Sequence, residues 1–571
     1  MSETRISRCL PLLFILSFPA LLYAQNDFNP YHYQVEKRAL CTHGAVVSAH
    51  PLASRVGVDI LKMGGNAFDA AIATQLALAV VYPGAGNIGG GGFMVARLAN
   101  GKNLAVDFRE KAPGHATRDM YLDSAGNAQA ALSQNGALSS GVPGTVAGLF
   151  EAWKYARLPF KKLIQPAIDL AEKGFCISSA EASNLNEFQS TFRKYNTVMP
   201  VFVKEQPWKE GDTLVQKELA HTLRLIRDNG ARGFYEGEIA GLIVAESKRS
   251  HGILTLEDLR TYKAIEREAV VFPYKRDYSI ITMPLPASGG VLLPQMLKMI
   301  EDQPLKKYGF ESVKAVHLMA EVERLAYADR AKYLGDKDFY HVPVKTLTST
   351  PYIMARMKLY DPNRAGNSQD IQAGQIKPES EETTHFNVYD KYGNAVSITT
   401  TLNGEYGSAT VVGGAGFLLN NEMDDFSVKP GVPNMYGAVG GEANAIAAGK
   451  RMLSSMTPTI VLKNGKPYLV VGTPGGTTIT TSVFQTIVDI LDFDLSPSDA
   501  VNMPKFHHQW LPDILFVEKD LPQATLEELE KMGYHVKKRE HIGRTEVIRI
   551  SEAGGIEAVG DKRGDDTALG Y

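Results

Sequence analysis

The fold of this chain is decided by the stretch Glu381-Glu382-Thr383-Thr384-His385-Phe386-Asn387-Val388-Tyr389-Asp390. Before it, residues 361–382 are polar and show no apolar periodicity, which is typical of a linker. From Thr383 onward the pattern changes: side chains of residues 383–389 alternate in character as in a β-strand. A turn signal follows at 390–394, and residues 395–403 are predicted to form the returning strand. A threonine at the border of linker and strand can carry a hydroxyl nucleophile and an amine base on one residue, provided that the chain is cut before it.

The turn predicts a register for this hairpin. With the centre of the turn at Tyr392, Thr383 stands opposite Thr401. Directly opposed side chains lie close enough for two hydroxyls to form a hydrogen bond, so Thr401 is predicted to orient the Thr383 hydroxyl. A slip of one residue would break this pairing. The run Thr399-Thr400-Thr401 is also typical of β-propensity alone.

Self-cleavage would give Thr383 the free amine that this chemistry needs. The Thr383 hydroxyl would attack the carbonyl carbon of Glu382, and hydrolysis of the resulting ester would release the amine. An α-amino group has a reference pKa of about 7.7–8.0, so it can act as a general base near neutral pH. The predicted products are a large subunit, residues 25–382, and a small catalytic subunit, residues 383–571.

The composition is that of an ordinary globular protein. The chain has 571 residues, of which 44% are hydrophobic and 22% are charged. Its net charge is −3, and no basic run or stripe occurs, so we do not expect nucleic acid as a partner.

The N-terminus has the pattern of a secretory signal peptide, residues 1–24. Arg5 and Arg8 form the charged region, residues 10–22 are apolar, and Ala24 is a small residue suited to cleavage. A membrane anchor is the alternative, but the apolar run is short for a spanning helix. No later segment is apolar enough to span a bilayer, so we expect an exported protein, periplasmic or secreted, without membrane attachment once the signal is removed.

Two cysteines remain after the signal. Cys41 and Cys176 could form one disulfide in an oxidising compartment, or remain two free thiols, and the sequence leaves both open. No C-x-x-C motif is present, and no metal site is expected.

The order of predicted elements indicates an α+β fold. Two helices are separated by Gly64-Gly65-Asn66, and the second, 68–81, is apolar nearly all round and should be buried. The longest helix is predicted over 311–333. From Thr383 onward strands dominate, and helices and antiparallel strands in separate blocks are typical of sheets covered by helices.

A series of motifs in a fixed order carries a resemblance to one family. The motifs are Gly64-Gly65-Asn66-Ala67, Asn87-Ile88-Gly89-Gly90-Gly91-Gly92, Asp107-Phe108-Arg109-Glu110, Gly141-Val142-Pro143-Gly144-Thr145, Thr383-Thr384-His385-Phe386-Asn387-Val388, Leu419-Asn420-Asn421-Glu422-Met423-Asp424-Asp425-Phe426, Leu453-Ser454-Ser455-Met456, Pro474-Gly475-Gly476 and Phe506-His507-His508-Gln509-Trp510. Over nearly the whole mature chain they resemble the gamma-glutamyltransferases, N-terminal nucleophile hydrolases that are also called glutathione hydrolases.

The resemblance implies a fold and a reaction. The fold would be a four-layer αββα sandwich, one domain built by both subunits as a heterodimer. The enzyme would move the γ-glutamyl group of glutathione and related amides to Thr383, and from there to water, amino acids or dipeptides. The resemblance implies neither a metal nor an organic cofactor.

The resemblance also assigns the site residues. Thr383 would be the nucleophile, with its amine as base, and Thr401 would orient it. The α-carboxylate would bind Arg109, Ser454 and Ser455, and the α-ammonium would bind Asn403, Glu422 and Asp425. The oxyanion would bind Gly475 and Gly476, and Tyr436, in the loop 430–437, would cover the site as a lid.

Taken alone, several of these residues have a plainer interpretation. Arg109 would form a local salt bridge with Asp107 or Glu110, and the acidic segment 422–425 would be a solvated turn or a cation site. The pair His507-His508 is expected to pack and to form hydrogen bonds without a catalytic role.

Three other functions fit part of the sequence. Residues 84–89 match G-x-G-x-x-G, but here a predicted helix precedes the motif and a strand follows, whereas a dinucleotide site needs the opposite order. A related acylase acting on β-lactam side chains would share Thr383 and the glycine turn, although Arg109, Asp425 and the two serines favour a glutamyl head group. An exported solute-binding protein without chemistry would be unaffected by Thr383→Ala. No G-x-S-x-G or H-E-x-x-H motif is present.

Overall fold

The computed structural model describes residues 29–371 and 383–571. The predicted signal peptide and Glu382, the residue before the predicted cleavage point, lie outside the described residues. Within them, no helix combines the length and the apolar character needed to cross a membrane.

Two seven-stranded antiparallel sheets form the centre of the molecule. In spatial order, sheet 1 consists of β1 (Arg38–Cys41), β18 (Ile556–Val559), β17 (Glu546–Ile550), β13 (Lys466–Gly472), β12 (Thr459–Lys463), β9 (Tyr278–Thr282) and β8 (Val270–Tyr274). Sheet 2 consists of β19 (Thr567–Gly570), β2 (Ala45–Ser48), β10 (Thr384–Tyr389), β11 (Ala395–Thr401), β3 (Gly91–Arg97), β4 (Asn103–Asp107) and β7 (Ile265–Arg267). The smaller sheets are β14 (Phe506–His507) with β15 (Leu515–Glu518) and β16 (Val536–Arg539), and β5 (Phe175–Cys176) with β6 (Thr213–Leu214).

The helices fall into two sets along the chain. The first set is α1 (Pro51–Lys62), α2 (Ala67–Val81), α3 (Ala130–Gln134), α4 (Thr145–Trp153), α5 (Phe160–Lys173), α6 (Ser179–Glu187), α7 (Gln189–Tyr195), α8 (Lys217–Asn229), α9 (Arg232–Tyr235), α10 (Gly237–Arg249) and α11 (Leu256–Thr261). The second set is α12 (Gly289–Ile300), α13 (Leu305–Tyr308), α14 (Val313–Tyr333), α15 (Val344–Leu347), α16 (Thr350–Met357), α17 (Thr478–Leu491), α18 (Pro497–Asn502) and α19 (Gln523–Lys531).

Alternating side chains of the strands build three apolar cores. Val47 of sheet 2 and Ile548 of sheet 1 point between the sheets and belong to one core. Their neighbours point outwards: Val46 packs with helices α1 and α2, and Val547 packs with α12, α14 and α17. This period of two places one layer of helices on the outer face of each sheet. The predicted α+β class and four-layer αββα architecture are confirmed.

Segments from both sides of the predicted cut contribute to both sheets. In sheet 2 the hairpin β10–β11 lies between β2 and β3. In sheet 1, β12 pairs with β9 and β18 pairs with β1. A cut before Thr383 would therefore leave two pieces joined by strand pairing through both sheets.

The helix predictions hold with small shifts. The capping box that starts α2 pairs the Asn66 side chain with the Asp69 backbone N–H and the Asp69 side chain with the Asn66 backbone N–H. Every residue of α2 is buried, as predicted. Helix α14 begins at Val313, two residues later than predicted, because Ser312 caps it by accepting from the Ala315 backbone N–H. The short strands β1, β2 and β19 were not predicted.

The glycine run after α2 serves strand packing. Gly90 lies so close to β11 that a Cβ on it would be 2.0 Å from the Thr401 carbonyl oxygen. Helix α2 precedes this segment and strand β3 follows it, so the order that a dinucleotide fingerprint requires is absent here. The nucleotide interpretation of 84–89 is therefore wrong.

Cys41 and Cys176 are free thiols. The Cys41 sulfur lies 3.4 Å from the Gly44 carbonyl oxygen, and the Cys176 sulfur lies 3.2 Å from that of Gly211. The sequence left open either a disulfide between these cysteines or two free thiols, and the structure has two free thiols.

Candidate active site

Thr383 lies at the open end of the central hairpin, one residue before β10, and is 4% exposed. The register of β10 and β11 pairs Thr384 with Thr400, and one further step places Thr383 opposite Thr401, as predicted. The expected hydrogen bond between these two hydroxyls does not occur within the described residues. Thr401 Oγ1 instead accepts from the Asn403 backbone N–H at 2.7 Å, because the chain turns sharply at Asn403, where φ is 78°.

A cavity lies beside Thr383. The predicted site residues that line it are Arg109, Thr383, Thr401, Asn403, Glu422, Asp425, Tyr436, Ser454, Ser455 and Gly476. We call Thr383, Thr401, Gly475 and Gly476 the neutral group, and Arg109, Glu110, Glu422 and Asp425 the charged group.

The two glycines of the neutral group form the turn between β13 and α17. Their φ angles are 134° and 52°, which residues with a side chain rarely adopt. Within the described residues, neither backbone N–H donates to another protein group. Two adjacent free N–H groups next to a helix N-terminus can stabilise a developing negative charge.

A network of uncharged side chains supports this turn. The Tyr327 hydroxyl donates to the Thr477 carbonyl oxygen, and the Thr477 hydroxyl donates to Gln509 Oε1 at 2.6 Å. The same Gln509 oxygen lies 2.9 Å from His507 Nε2. Burial lowers the pKa of His507 to about 3, so the ring is neutral at physiological pH. His507 thus packs and forms hydrogen bonds behind the cavity, in the manner predicted for the histidine pair.

The charged group is buried, and Arg109 is its centre. Arg109 Nη1 lies 2.6 Å from Glu422 Oε2, and Nη2 lies 2.5 Å from Asp425 Oδ2. Glu110 Oε2 is farther away, 3.5 Å from Nη1. Glu422 belongs to the short 3-10 helix Glu422–Asp425 and is 0% exposed, so this segment is not a solvated turn.

Burial and ion pairing act against each other in this group. Burial raises the pKa of Glu422 well above its ordinary value, and the Arg109 charge only partly opposes this. Burial likewise raises the pKa of Glu110 to about 7. Burial would lower the pKa of Arg109, but the three carboxylates outweigh it and raise that pKa. The guanidinium and the carboxyl groups therefore depend on one another, since removing either sign of charge would leave the other buried without a partner.

Of the two local salt bridges that the sequence left open for Arg109, the one with Glu110 forms and the one with Asp107 does not. Asp107 Oδ2 lies 2.7 Å from Arg267 Nε, and Asp107 Oδ1 lies 3.1 Å from Arg451 Nε. The Asp107 carboxylate also accepts from the Arg109 backbone N–H at 3.0 Å, which orients the residue. Asp107 is occupied in this way, and the Arg109 guanidinium is directed at the cavity.

Ser454 and Ser455 are held by a neighbouring loop. The Ser454 backbone N–H donates to the Pro286 carbonyl oxygen at 2.8 Å, and its own carbonyl accepts from the Ser288 backbone N–H at 2.7 Å. Both serine residues line the cavity. Backbone contacts thus place Ser454, and each serine hydroxyl has a donor beside the cavity: Ser454 Oγ accepts from the Met456 backbone N–H at 3.1 Å, and Ser455 Oγ accepts from Arg330 Nη2 at 3.1 Å.

The loop 430–437 covers the cavity. The Tyr436 hydroxyl donates to the Asn403 carbonyl oxygen, and its ring lies against Gly476, where an added Cβ would be 2.6 Å from Tyr436 Cδ1. Asn434 Nδ2 donates to Asp425 Oδ1 at 2.9 Å. The loop therefore joins the neutral group to the charged group.

Arg330, Asn434 and Thr477 also line the cavity and were not predicted. Arg330 and Tyr327 lie on α14, whose polar side chains recur every three or four residues. That spacing is the signal for a polar stripe on a buried helix, but the sequence alone does not tell which side of the helix faces a site. Within residues 29–371 and 383–571, no cluster of three or more His, Cys, Asp or Glu residues is arranged to hold a metal ion.

Comparison with known proteins agrees with this geometry. A family model described as Gamma-glutamyltranspeptidase matches residues 53–571. The chain is 48% identical over 551 residues to the Glutathione hydrolase proenzyme of Escherichia coli (strain K12), and the match covers 95% of each chain.

Two solved structures are similar to the whole chain or to its larger part. Cephalosporin acylase from Bacillus halodurans superimposes with a TM-score of 0.82 at 25% identity, over 98% of this chain and 99% of that chain. Gamma-glutamyltranspeptidase from Helicobacter pylori superimposes with a TM-score of 0.56 at 45% identity, over 60% of this chain and 97% of that chain.

The four-layer sandwich, with a threonine at the end of its central hairpin, defines an N-terminal nucleophile hydrolase fold. The family model and the relatives narrow this class to one family. The chain belongs to the gamma-glutamyltranspeptidase family and is an enzyme of that kind.

Proposed function

We propose that the chain is a proenzyme that cuts itself between Glu382 and Thr383. The Thr383 hydroxyl attacks the Glu382 carbonyl carbon, the peptide C–N bond breaks as the acyl group moves to oxygen, and water hydrolyses the ester. The products are the Glu382 carboxylate and a free Thr383 amine. The pieces, 25–382 and 383–571, stay together as a heterodimer because both contribute strands to both sheets.

Two comparisons support this processing. The relative from Escherichia coli is named a proenzyme. The solved Helicobacter pylori chain is covered over 97% of its length by 60% of this chain, a share close to that of residues 25–382.

The mature site would transfer a γ-glutamyl group through an ester on Thr383. The Thr383 amine takes the hydroxyl proton as oxygen attacks the γ-carbonyl carbon, and Thr401 orients the nucleophile. The backbone N–H groups of Gly475 and Gly476 receive the oxyanion. The amine then protonates the leaving nitrogen, so that the donor amide bond breaks and the acyl group remains on Thr383.

The charged group would recognise the zwitterionic head of the donor. The α-carboxylate of the head pairs with Arg109 and accepts from Ser454 and Ser455. Arg109 then no longer neutralises Glu422 and Asp425, and the α-ammonium takes its place beside them and the Asn403 side chain. A zwitterion keeps the charge balance of this buried group, whereas an anion or a cation alone would break it.

The ester is released to water, as in glutathione hydrolysis, or to the amine of an amino acid or dipeptide. Tyr436 and its loop control which of these reaches the ester. Every step uses side chains and backbone groups of the chain, so we propose no metal or organic cofactor. The N-terminal pattern of Arg5, Arg8, residues 10–22 and Ala24 supports export of the enzyme to the periplasm or beyond.

The structural similarity to a cephalosporin acylase supports a second candidate, hydrolysis of a dicarboxylic acyl side chain. A glutaryl group lacks the α-ammonium, so it would leave the Glu422 and Asp425 carboxylates without a cation once a carboxylate binds Arg109. The pairing of Arg109 with both carboxylates inside one cavity with Thr383 is the observation that favours the γ-glutamyl donor.

The two candidates are separated by two anilides that differ only in the α-amino group. Purified enzyme is given γ-glutamyl-p-nitroanilide or glutaryl-p-nitroanilide, with and without glycylglycine, beside the Thr383→Ala variant. We expect nitroaniline to be released far faster from the γ-glutamyl compound than from the glutaryl compound, γ-glutamyl-dipeptide when the acceptor is present, and no product from the variant. Faster release from the glutaryl compound would identify an acylase, and an active Thr383→Ala variant would reject the mechanism.

A further inference from the structure

Arg330 is a buried guanidinium in the wall of the active-site cavity. It lies near the C-terminal end of α14, and its residue is 7% exposed. Its Nη2 lies 3.1 Å from Ser455 Oγ, and its Nε lies 3.4 Å from Ser288 Oγ. Neither the assignment of site residues by resemblance nor the mechanism above uses it.

Arg330 differs from Arg109 in its partners. Arg109 is surrounded by the carboxylates of Glu422, Asp425 and Glu110. Arg330 forms no ion pair within the described residues, and both of its hydrogen-bond partners are hydroxyls. The Tyr327 and Asp425 side chains are the acidic groups that act on it electrostatically, and they do not offset its burial.

An arginine in this position has donors to spare. A guanidinium carries five N–H groups, of which the two serines here occupy two. A charge taken out of water without an opposite charge is costly, and arginine keeps its proton even when burial lowers its pKa. The unclaimed N–H groups, at the wall of a cavity, are therefore suited to an anionic guest.

The position of Ser455 tells which part of the guest is anionic. Ser455 is one of the two serines expected to receive the α-carboxylate of the donor, and Arg330 Nη2 lies within hydrogen-bond distance of the same hydroxyl. Asp425, which is expected to receive the α-ammonium, is the carboxylate that acts on Arg330 electrostatically, and both residues line the cavity. The scissile end of the donor is expected to bind the uncharged backbone N–H groups of Gly475 and Gly476.

We propose that Arg330 is a second guanidinium for the α-carboxylate of the donor, shared with Arg109 and Ser455. This inference rests on the proposed function. It makes a free α-carboxylate a condition for efficient transfer, so that amides of α-amino dicarboxylic acids are good donors and amides of simple ω-amino acids are poor ones.

The test compares donors with and without the α-carboxylate. The probes are γ-glutamyl-p-nitroanilide and 4-aminobutanoyl-p-nitroanilide, which differ only in that group, and the readout is the ratio of their kcat/KM values. Inhibition by free glutamate and by 4-aminobutanoate gives a second ratio, which does not depend on turnover. We expect wild type to prefer the carboxylated compounds.

The main variants are Arg330→Gln and Arg330→Lys. A charge-assisted hydrogen bond contributes about 1.5–3 kcal/mol, so Arg330→Gln should lower kcat/KM for the γ-glutamyl anilide by about 10- to 100-fold, chiefly through KM. The rate with the 4-aminobutanoyl anilide should stay unchanged. Arg330→Lys keeps the positive charge but loses the planar guanidinium, so it should keep part of the preference for the carboxylated donor. It serves as the informative variant if Arg330→Gln does not fold.

Arg324→Gln is the matched control. Arg324 is also buried on α14, but it pairs with Glu321 and Asp513 and does not line the cavity. It should lower stability and leave the donor preference unchanged. If the Arg330 variants lower both donors equally, or keep the wild-type preference, the inference is overturned. Wild type that turns over neither anilide would overturn the proposed function and this inference with it.

Discussion

Residues of the neutral group and of the charged group line one cavity, but the two groups are built in different ways. The neutral group consists of hydroxyls and backbone N–H groups, supported from behind by Tyr327, Thr477, Gln509 and His507. The charged group is a cluster of one guanidinium and three carboxylates that are buried together. The difference shows that stabilising the oxyanion and binding the charged head of the substrate have different electrostatic requirements. Charge that appears only during reaction is met by fixed dipoles, whereas charge already present on the substrate is met by ion pairs that exchange partners.

The pKa shifts follow the same division. Burial lowers the pKa of His507 behind the glycine turn, so no charge lies there at neutral pH. Burial raises the pKa of Glu422 and Asp425, and the Arg109 charge opposes this for both, joined by the Arg330 charge for Asp425. Changes in the neutral group should therefore act on kcat, and changes in the charged group on KM and on the choice of donor.

Gly476→Ala should have the largest effect. The new Cβ would lie 2.6 Å from Tyr436 Cδ1, and an alanine at a φ of 52° is strained, so the turn that presents the N–H groups must shift. Loss of one oxyanion donor typically lowers kcat by about 10²–10³. Steady-state kinetics with the γ-glutamyl anilide should show this loss in kcat, with KM little changed.

The control for Gly476→Ala is Gly465→Ala. Gly465 also has a positive φ, 80°, but lies in the β12–β13 turn with nothing within 4 Å of an added Cβ. It should keep wild-type kcat. Equal losses in both variants would show that backbone strain, rather than an oxyanion donor, explains the result.

Asp425→Asn should come next. It removes the negative charge that faces the α-ammonium and keeps the shape of the side chain. A hydrogen bond to a charged group contributes about 1.5–3 kcal/mol, so we expect KM for the γ-glutamyl anilide to rise by about 10- to 100-fold while kcat changes less. The glutaryl anilide has no ammonium and supplies the control, because its weak turnover should not fall further. An equal loss with both anilides would contradict the division between the two groups.

His507→Gln should change how stability depends on pH. The pKa of His507 falls from 6.5 to about 3 on folding. Between these values the unfolded chain binds a proton that the folded chain does not, so this residue lowers stability as pH falls below about 6.5. The loss is at most about 1.4 kcal/mol per pH unit. Denaturant unfolding at pH 6.0 and 5.0 should show a shallower loss in the variant, and identical slopes would reject the neutral, buried histidine.

Tyr436→Phe should have the smallest effect of the four. It removes the hydrogen bond from the Tyr436 hydroxyl to the Asn403 carbonyl oxygen and keeps the ring over Gly476. Such a bond contributes about 0.5–1.5 kcal/mol, so kcat/KM should fall by about 2- to 12-fold. Tyr340→Phe, at an exposed tyrosine, is the control. A loss as large as that of Gly476→Ala would mean that the loop, rather than the glycine turn, dominates catalysis.

Local sequence signals predicted much of this arrangement. The turn at Tyr392 predicted the β10–β11 register, and the apolar surface of α2 predicted a buried helix, because both depend on neighbours along the chain. Of the partners of Arg109, Glu110 was among those that the sequence offered, but Glu422 and Asp425 could not be predicted, since they reach Arg109 only through the packing of a distant 3-10 helix. Arg330 was missed for the same reason: from sequence, Asp329-Arg330 is an ordinary charged pair on a helix. The short strands β2 and β19 carry too few residues for a periodic signal.

The central claim, that Thr383 becomes an N-terminal nucleophile, is tested most directly by intact mass and N-terminal sequencing of purified protein. Wild type is compared with Thr383→Ala. The account predicts two fragments in wild type, the smaller beginning Thr383-Thr384-His385, and a single uncut chain in the variant. A wild-type chain that is active while uncut, or a variant that is cut at the same position, would contradict it.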